Sequence, residues 1–261
     1  MEFSWIHRTD ALTLSILLFF GMLVMVPLGR IAGKLWRQEE GEPKGGVGSL
    51  LSALYGLSAF ILAFTFGMSA SRYSNVRDII VDEANDIGTA LLRSDLYSDS
   101  VRDAFHADFK KYIDARIAFY NNATDTILFK KAINDADEAA TALWSRVAQQ
   151  SKQPNMLIPS NNMIPALNNM FDIATTVKIT LYARVPDLIV YMLFILALVT
   201  SFIGGFTSSG IRHKDWIIIV IFAVLSSMVV YVTLDLSRPM RGIIKSNIGL
   251  QAIIGLRESI R

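Results

Sequence analysis

Cysteine is absent from the 261 residues, which excludes disulfides, thiolate nucleophiles, iron–sulfur clusters and cysteine-bound zinc. Histidine occurs only at His7, His106 and His213, and none of the three stands at a metal-binding spacing from another histidine or from a carboxylate partner. The sequence also lacks a glycine-rich phosphate loop, a nucleophile elbow and a dinucleotide fingerprint. We therefore expect no catalytic residues, no metal site and no cofactor, and we do not expect an enzyme.

An excess of charge of either sign is also missing. Lysine and arginine total 25, aspartate and glutamate total 23, and the formal net charge is only +2. Because a surface that binds nucleic acid needs a pronounced basic excess, no nucleic-acid partner is expected.

Four long segments contain no charged residue, in a chain that is 52% hydrophobic. At about 1.5 Å per helical residue, each segment reaches across most or all of the ~30 Å hydrocarbon core of a bilayer. The segments are residues 11–29, 47–70, 188–210 and 216–234. Trp5, Trp36 and Trp216 lie at segment edges, where tryptophan favours the membrane interface. The pattern predicts an all-α membrane protein with four transmembrane helices in two hairpins.

The segment between the hairpins is rich in charge and in helix-forming residues and is poor in glycine, which predicts a soluble helical domain. Its apolar residues recur at helical spacing, for example at Ile80, Ala84, Ile87 and Leu91. We expect helices over residues 72–92, 98–122, 124–150 and from about residue 166, and a proline-containing loop over residues 151–165. The predicted divisions of the chain are residues 1–70, 71–186, 187–235 and an amphipathic C-terminal tail, 236–261.

Four spans would place both termini and the soluble domain on one side of the membrane. Lysine and arginine near the spans are slightly more numerous on that side, which favours a cytoplasmic location. No Asp, Glu, Lys, Arg or His lies in the interior of a span, whereas pumps, proton relays and voltage sensors carry such groups at membrane depth. A passive pore needs none, because a hydrophobic constriction can gate it by dewetting. The sequence therefore disfavours ion-coupled transport but allows a channel.

Gly56, Phe60 and Phe64 recur at i, i+4 and i+8 along the second span and form one stripe of its helix. Aromatic residues that face lipid or pack against a neighbouring helix are the usual explanation of such a stripe. In an oligomer the stripe would instead form a pore neck, with each phenylalanine contributing to a ring. The spacing alone does not distinguish between these interpretations.

A ladder of acidic residues lies on the helix that follows the second span. Asp78, Asp82 and Asp86 recur at i, i+4 and i+8, with Glu83 beside them. A solvated helix face is the usual explanation. If this face lines the vestibule of an oligomer, its carboxylates would concentrate cations.

Four segments of the chain resemble one known family. They are GLSAFILAFTF at residues 56–66, RDIIVDEANDIGTALLRSD at 77–95, YIDARIAFY at 112–120 and LDLSRPMRGIIKSN at 234–247. In this order they resemble the bacterial bestrophin-like domain proteins, a family that is distantly similar to bestrophin ion channels. The resemblance implies a homopentamer in the cell inner membrane, with four spans per subunit, cytoplasmic termini, a cytosolic helical funnel and conduction of small monovalent anions such as chloride.

The second span carries the similarity to bestrophin channels. Phe60 and Phe64 fall on the neck aromatic residues of those channels, and Arg72 falls on the arginine beyond them. Residues 73–74 stand in place of a tryptophan pair, and Gly56 stands in place of a large aliphatic residue. The acidic C-terminal calcium clasp of bestrophins is missing, so calcium gating is not expected.

These observations together predict an oligomeric ion channel in a lipid bilayer, with a hydrophobic neck formed by the second span. The predicted neck residues are Phe60, Phe64 and Gly56, and the residues predicted to line the pore or vestibule are Arg72, Asp78, Asp82, Glu83 and Asp86. The resemblance favours anions and the acidic ladder favours cations, so a monovalent cation channel of the same architecture is one alternative. The other alternative is a non-conducting membrane scaffold or sensor that binds a partner through its cytosolic helices.

Overall fold

The computed structural model describes residues 9–40, 47–182, 187–207, 213–238, 240, 242 and 248–260. Trp5, His7 and most of residues 239–247 lie outside the described residues. The described part of the chain forms eight α-helices and no β-strand. In chain order the helices are α1 (Ala11–Glu40), α2 (Val47–Arg93), α3 (Asp99–Asn121), α4 (Thr126–Gln150), α5 (Leu157–Tyr182), α6 (Asp187–Thr207), α7 (His213–Leu236) and α8 (Ile248–Ser259). Short 3₁₀ turns at Ser94–Leu96 and Pro154–Met156 precede α3 and α5.

The packing of the helices divides the chain into two compact units. The first unit consists of Met1–Arg72 and Arg184–Arg238, and the second consists of Tyr73–Ala183 and Pro239–Arg261. Helix α2 begins at Val47, ends at Arg93 and contributes residues to both units.

Four helices in the described part of the chain are long and apolar enough to cross a membrane. The candidate spans are Ala11–Trp36, Ser52–Leu96, Asp187–Thr207 and Trp216–Leu236. Each candidate span contains most of one uncharged segment of the sequence, because the absence of charge over a helix of this length is itself the signal of a span, and the second span continues well beyond its segment. The prediction of a four-span, all-α protein is confirmed.

In the first unit, helix α1 packs along α6 and against α7. Leu14, Leu18 and Met22 of α1 are almost fully buried and recur every four positions, which is the spacing of one helix face. They form a core with apolar residues of the later spans. Those residues are Val190 of α6 and Ala223, Val230 and Leu234 of α7.

Glycines bring the backbones of α1 and α6 into direct contact. A β-carbon on Gly205 would overlap the carbonyl oxygen of Val26, and a β-carbon on Gly29 would overlap the carbonyl oxygen of Phe202. Small residues are the usual means by which membrane helices approach closely, because lipid supplies no hydrophobic force that drives two apolar helices together. The α1–α6 contact therefore depends on the absence of side chains at these positions.

In the second unit, α3 packs against α4 and α8, and α5 packs against α4. The centre of its core comes from α3, where Phe105, Phe109 and Ile113 have no exposed surface. Helix α4 begins after Asp125, whose carboxylate accepts hydrogen bonds from the backbone N–H groups of Ile127 and Leu128 at 2.8 and 3.0 Å. A capping aspartate satisfies N–H groups that have no partner inside the helix.

The loop predicted over residues 151–165 is wrong over most of its length. Helix α5 begins at Leu157 and continues through Pro165. Pro159 lies in the first turn of this helix, where the backbone N–H has no intrahelical acceptor and a proline is therefore tolerated. Part of the proline cluster thus marks the start of a helix rather than a loop.

Within the predicted C-terminal tail, Ile248–Ser259 forms helix α8, which packs into the core of the second unit through Ile253, a residue with no exposed surface. Gly249 lies against the backbone and side chain of Ile80 of α2, where a β-carbon would not fit. Arg257 donates hydrogen bonds to both carboxylate oxygens of Asp114 of α3, at 2.5 and 3.2 Å. The predicted amphipathic tail is therefore part of the second unit's packing.

Candidate functional site

Helix α2 is the least covered of the four candidate spans. Only 11% of its most apolar 18-residue stretch is buried, compared with 28% to 33% for the other three spans. Its contacts with the other helices of the first unit include a hydrogen bond, a ring contact and the packing of Leu62 against the apolar core. The Ser58 and Thr200 hydroxyl groups share a hydrogen bond of 2.9 Å, and Tyr55 meets Phe222 edge to face with ring centroids 5.5 Å apart. Most of the surface of this apolar stretch of α2 is thus available to lipid or to another chain.

The predicted neck residues share one exposed face of α2 in the first unit. Phe60 and Phe64 are 68% and 62% exposed, and their rings stack with centroids 6.4 Å apart and an interplanar angle of 16°. Gly56 is also exposed, and no atom lies within 4 Å of the position where its β-carbon would be. The described part of the chain leaves all three residues exposed, as both lipid contact and a pore neck require.

The predicted lining residues differ in their surroundings. Asp78 is exposed and accepts hydrogen bonds from the Arg77 guanidinium at 2.9 and 3.1 Å. Asp82 is exposed, Asp86 is half-buried, and neither forms an ion pair within the described residues. Arg72, in the first unit, is half-buried.

Glu83 does not line a vestibule, and its assignment is corrected. Its side chain has no exposed surface, and its two carboxylate oxygens accept hydrogen bonds from Arg116 Nε and from the Tyr120 hydroxyl, both on α3. The Arg116 guanidinium also lies over the Phe119 ring, 4.4 Å from its centroid. A buried carboxylate needs such partners, because removing the charge from water costs several kcal/mol unless it is paired and hydrogen-bonded. Glu83 is therefore a structural residue that joins α2 to α3.

Burial and neighbouring charges together shift the pKa values of Tyr112, Arg116 and Tyr120. Burial, together with the neighbouring Glu83 carboxylate, raises the pKa of Tyr120 well above its usual value, so this hydroxyl keeps its proton as a donor. Burial also raises the pKa of Tyr112. Burial alone would lower the pKa of Arg116, but the Glu83 charge outweighs it and the pKa of Arg116 is raised. Both tyrosines thus keep their protons, and the Arg116 guanidinium keeps its charge.

Arg116 and Tyr120 were not identified as partners of Glu83 from the sequence, although a signal was present. Arg116 stands among the buried residues Tyr112, Ile113 and Phe119 on the apolar face of α3. An arginine on such a face requires a buried acid nearby, since Lys and Arg are almost never fully buried unless they are paired. Within the described residues, no group of three or more acidic, histidine or cysteine side chains could hold a metal ion.

Taken together, these features define an all-helical, multi-pass membrane protein in which two spans precede a helical unit and two follow it. The sequence model of the Bestrophin-like domain matches residues 15–245, which is most of the chain. The chain belongs to the Bestrophin-like domain family. No curated protein matches it.

Solved structures of bestrophin homologues share this fold. A bacterial bestrophin homologue from Klebsiella pneumoniae superimposes with a TM-score of 0.72 at 11% sequence identity, covering 94% of this chain and 96% of that chain. A single-residue variant of a bacterial bestrophin homologue from the same organism gives a TM-score of 0.75 at 12% identity, covering 97% of each chain. At these identities the likeness demonstrates a common fold.

Proposed function

We propose that this protein is an oligomeric ion channel of the bestrophin type, whose pore is lined by α2 and narrowed by Phe60 and Phe64. The observation that carries the proposal is the exposed, stacked pair of rings on the least covered span. Family membership supports it, because the solved structures with this fold are of bestrophin homologues. The resemblance to the bestrophin family adds a homopentamer in the inner membrane, with the second unit and both termini in the cytoplasm.

An oligomer is required, because one copy of α2 cannot enclose a pore. Copies of this face arranged around a symmetry axis would place one Phe60 and one Phe64 of each subunit in successive rings. A ring of phenylalanine side chains is apolar and narrow, so it can exclude water and ions until it widens. Gly56, which has open space around it, would leave the pore wider on that side of the rings.

The structure leaves fewer unpaired carboxylates in the acidic ladder than the sequence pattern suggested, which weakens the argument for cations. Of the four carboxylates in the acidic ladder, Glu83 forms a buried ion pair with Arg116, and Asp78 forms an ion pair with Arg77. Asp82 and Asp86 are the two left to attract cations. We therefore infer that the channel conducts small monovalent anions such as chloride, and that a cation channel is the second candidate because Asp82 is exposed.

Ion polarity has a direct test. Purified protein in a planar bilayer under a potassium chloride gradient should give a current whose reversal potential lies near the chloride equilibrium potential. A reversal near the potassium equilibrium potential would instead support the cation channel. Absence of current together with a monomeric or dimeric protein would favour the scaffold alternative, since neither state can close a ring of α2 helices.

The neck has a separate test. Phe60→Ala combined with Phe64→Ala should raise single-channel current about tenfold, which corresponds to a barrier lowered by ~1.4 kcal/mol, because the dewetted constriction is lost. Phe66→Ala is the matched control, since Phe66 lies roughly 200° around the helix from Phe64. We expect this control to conduct like the unmodified protein. If the double variant also conducts like the unmodified protein, Phe60 and Phe64 do not form the neck.

A further inference from the structure

A cavity of about 590 Å³ lies among all four transmembrane helices of the first unit. Its walls include Met22 of α1, Leu62 of α2, Leu193 of α6 and Phe222 of α7. None of its lining residues carries a charge. Because a charged ligand would lose its hydration there without compensation, the cavity suits an uncharged and mainly apolar occupant.

The cavity is long in the direction of the helices. Leu193 and Gly204 both line it, and they are about 16 Å apart along α6 at 1.5 Å per residue. Ile218 and Val230 line it over a similar length of α7. An extended apolar space that follows the helix axes matches a hydrocarbon chain better than a compact ligand.

Most hydroxyl groups in the cavity wall are already engaged in hydrogen bonds. Thr200 donates to the Leu196 carbonyl at 2.6 Å and also shares a hydrogen bond with Ser58, while Ser201 donates to the Ala197 carbonyl at 2.9 Å. Little hydrogen-bonding capacity therefore remains for a ligand at Thr200, Ser58 and Ser201.

Tyr55 provides the polar group at one end of the cavity. It lies near the start of α2, and its hydroxyl is 2.7 Å from the position that a β-carbon on Gly204 would take, near the end of α6. The hydroxyl makes no hydrogen bond within the part of the chain that the structure describes. It is therefore available as a donor to a ligand that enters the cavity at this end.

We propose that the cavity binds one acyl chain of a membrane glycerolipid, with an ester carbonyl of the lipid accepting a hydrogen bond from Tyr55. Acyl chains are the apolar molecules that surround the four spans in a bilayer, and they are uncharged along their length. A bound chain fills the space between α2 and the other three helices. It thereby adds apolar contacts to α2, the candidate span that is least buried within the protein.

The test uses photochemical labelling of the full-length protein in vesicles. The vesicles contain phosphatidylethanolamine and phosphatidylglycerol with a trace of phosphatidylethanolamine that carries a diazirine at the end of one acyl chain. After illumination, mass spectrometry should locate adducts on the cavity wall of α6, residues 193–201, as well as on the exposed residue Leu225. Ala59→Leu with Ala197→Leu partly fills the cavity and narrows the path of an acyl chain, and it should lower labelling of residues 193–201 about tenfold while leaving Leu225 unchanged.

Two further variants make the result decisive. Ala53→Leu makes the same type of substitution once, at an exposed position of α2 outside the cavity, and should leave all labelling unchanged. Tyr55→Phe removes one oxygen atom and should lower labelling of residues 193–201 about threefold through the lost hydrogen bond. The proposal is overturned if residues 193–201 are unlabelled in the unmodified protein, or if filling the cavity leaves their labelling unchanged. If the double variant does not fold, unchanged labelling in Tyr55→Phe contradicts the proposal.

Discussion

Arg116→Met should destabilise the second unit by about 3–5 kcal/mol, because it leaves the Glu83 carboxylate buried without a counter-charge. The loss of electrostatic pairing dominates this effect, since methionine keeps much of the apolar bulk of the arginine stem. The outcome should appear in hydrogen exchange of the amides of α3, whose protection should fall about a hundredfold or more, at 1.4 kcal/mol per factor of ten.

Two comparisons separate this mechanism from a general loss of packing. Arg257→Met breaks the partly exposed ion pair with Asp114 of α3, the helix that also carries Arg116. This change should cost no more than about 1 kcal/mol. Adding Glu83→Gln to Arg116→Met removes the stranded charge while keeping an oxygen that accepts from Tyr120, so more than half of the lost protection should return. Equal protection in the single and double variants would show that the buried charge is not the cause.

Gly205→Ala should separate α1 from α6, because the new methyl group would occupy the space of the Val26 carbonyl oxygen. Overpacking of a close contact costs about 1–3 kcal/mol, and backbone atoms cannot move aside as a side chain does. For a chain of this size, 2 kcal/mol lowers the unfolding temperature by roughly 4–8 °C. The measurement is the temperature at which detergent-solubilised, full-length protein loses its monodisperse elution peak.

Gly67→Ala is the control for this substitution. It makes the same chemical change in another transmembrane helix, but no atom lies within 4 Å of the new β-carbon. Alanine is favoured over glycine inside a helix by up to about 1 kcal/mol, so this variant should be as stable as the unmodified protein or slightly more stable. A Gly205→Ala protein that unfolds at the same temperature as Gly67→Ala would contradict the close-contact explanation.

The transmembrane helices were predictable because one property, the absence of charge over a spanning length, determines them. The position of α5 was not, because the sequence shows that Pro159 and Pro165 are present but not that the first of them falls in an initial turn. A proline disfavours the interior of a helix but is tolerated in the first turn. The two cases differ only by the register of the helix, which tertiary packing decides.

The candidate site was predictable only in part, for a related reason. Helical spacing identifies which residues share a face, and it correctly grouped Phe60 with Phe64, whose rings stack. Glu83 was added to the acidic ladder because it is adjacent to Asp82 in the sequence, and neither adjacency nor spacing carries information about Arg116, 33 residues further along the chain. Long-range pairing decides which carboxylates remain exposed.

The cavity among the four transmembrane helices could not be predicted from sequence patterns, for a third reason. Its walls come from four helices, and its volume is the space that those helices leave unfilled. Packing imperfections of this kind depend on the positions of all the wall residues together. Tyr55 and Ser58 carry no signal in the sequence that distinguishes them from other polar residues of a span.

The close contact between α1 and α6 has a mechanical consequence. Sliding or tilting α1 against α6 would drive the Val26 and Phe202 carbonyl groups into the neighbouring helix, so this pair resists deformation as a stiff block. Tilting the membrane half of α2 disturbs a hydroxyl–hydroxyl hydrogen bond and an edge-to-face ring contact, each worth about 1 kcal/mol, together with the packing of Leu62. The angle of the helix that carries Phe60 and Phe64 is therefore easier to change than the packing of α1 against α6.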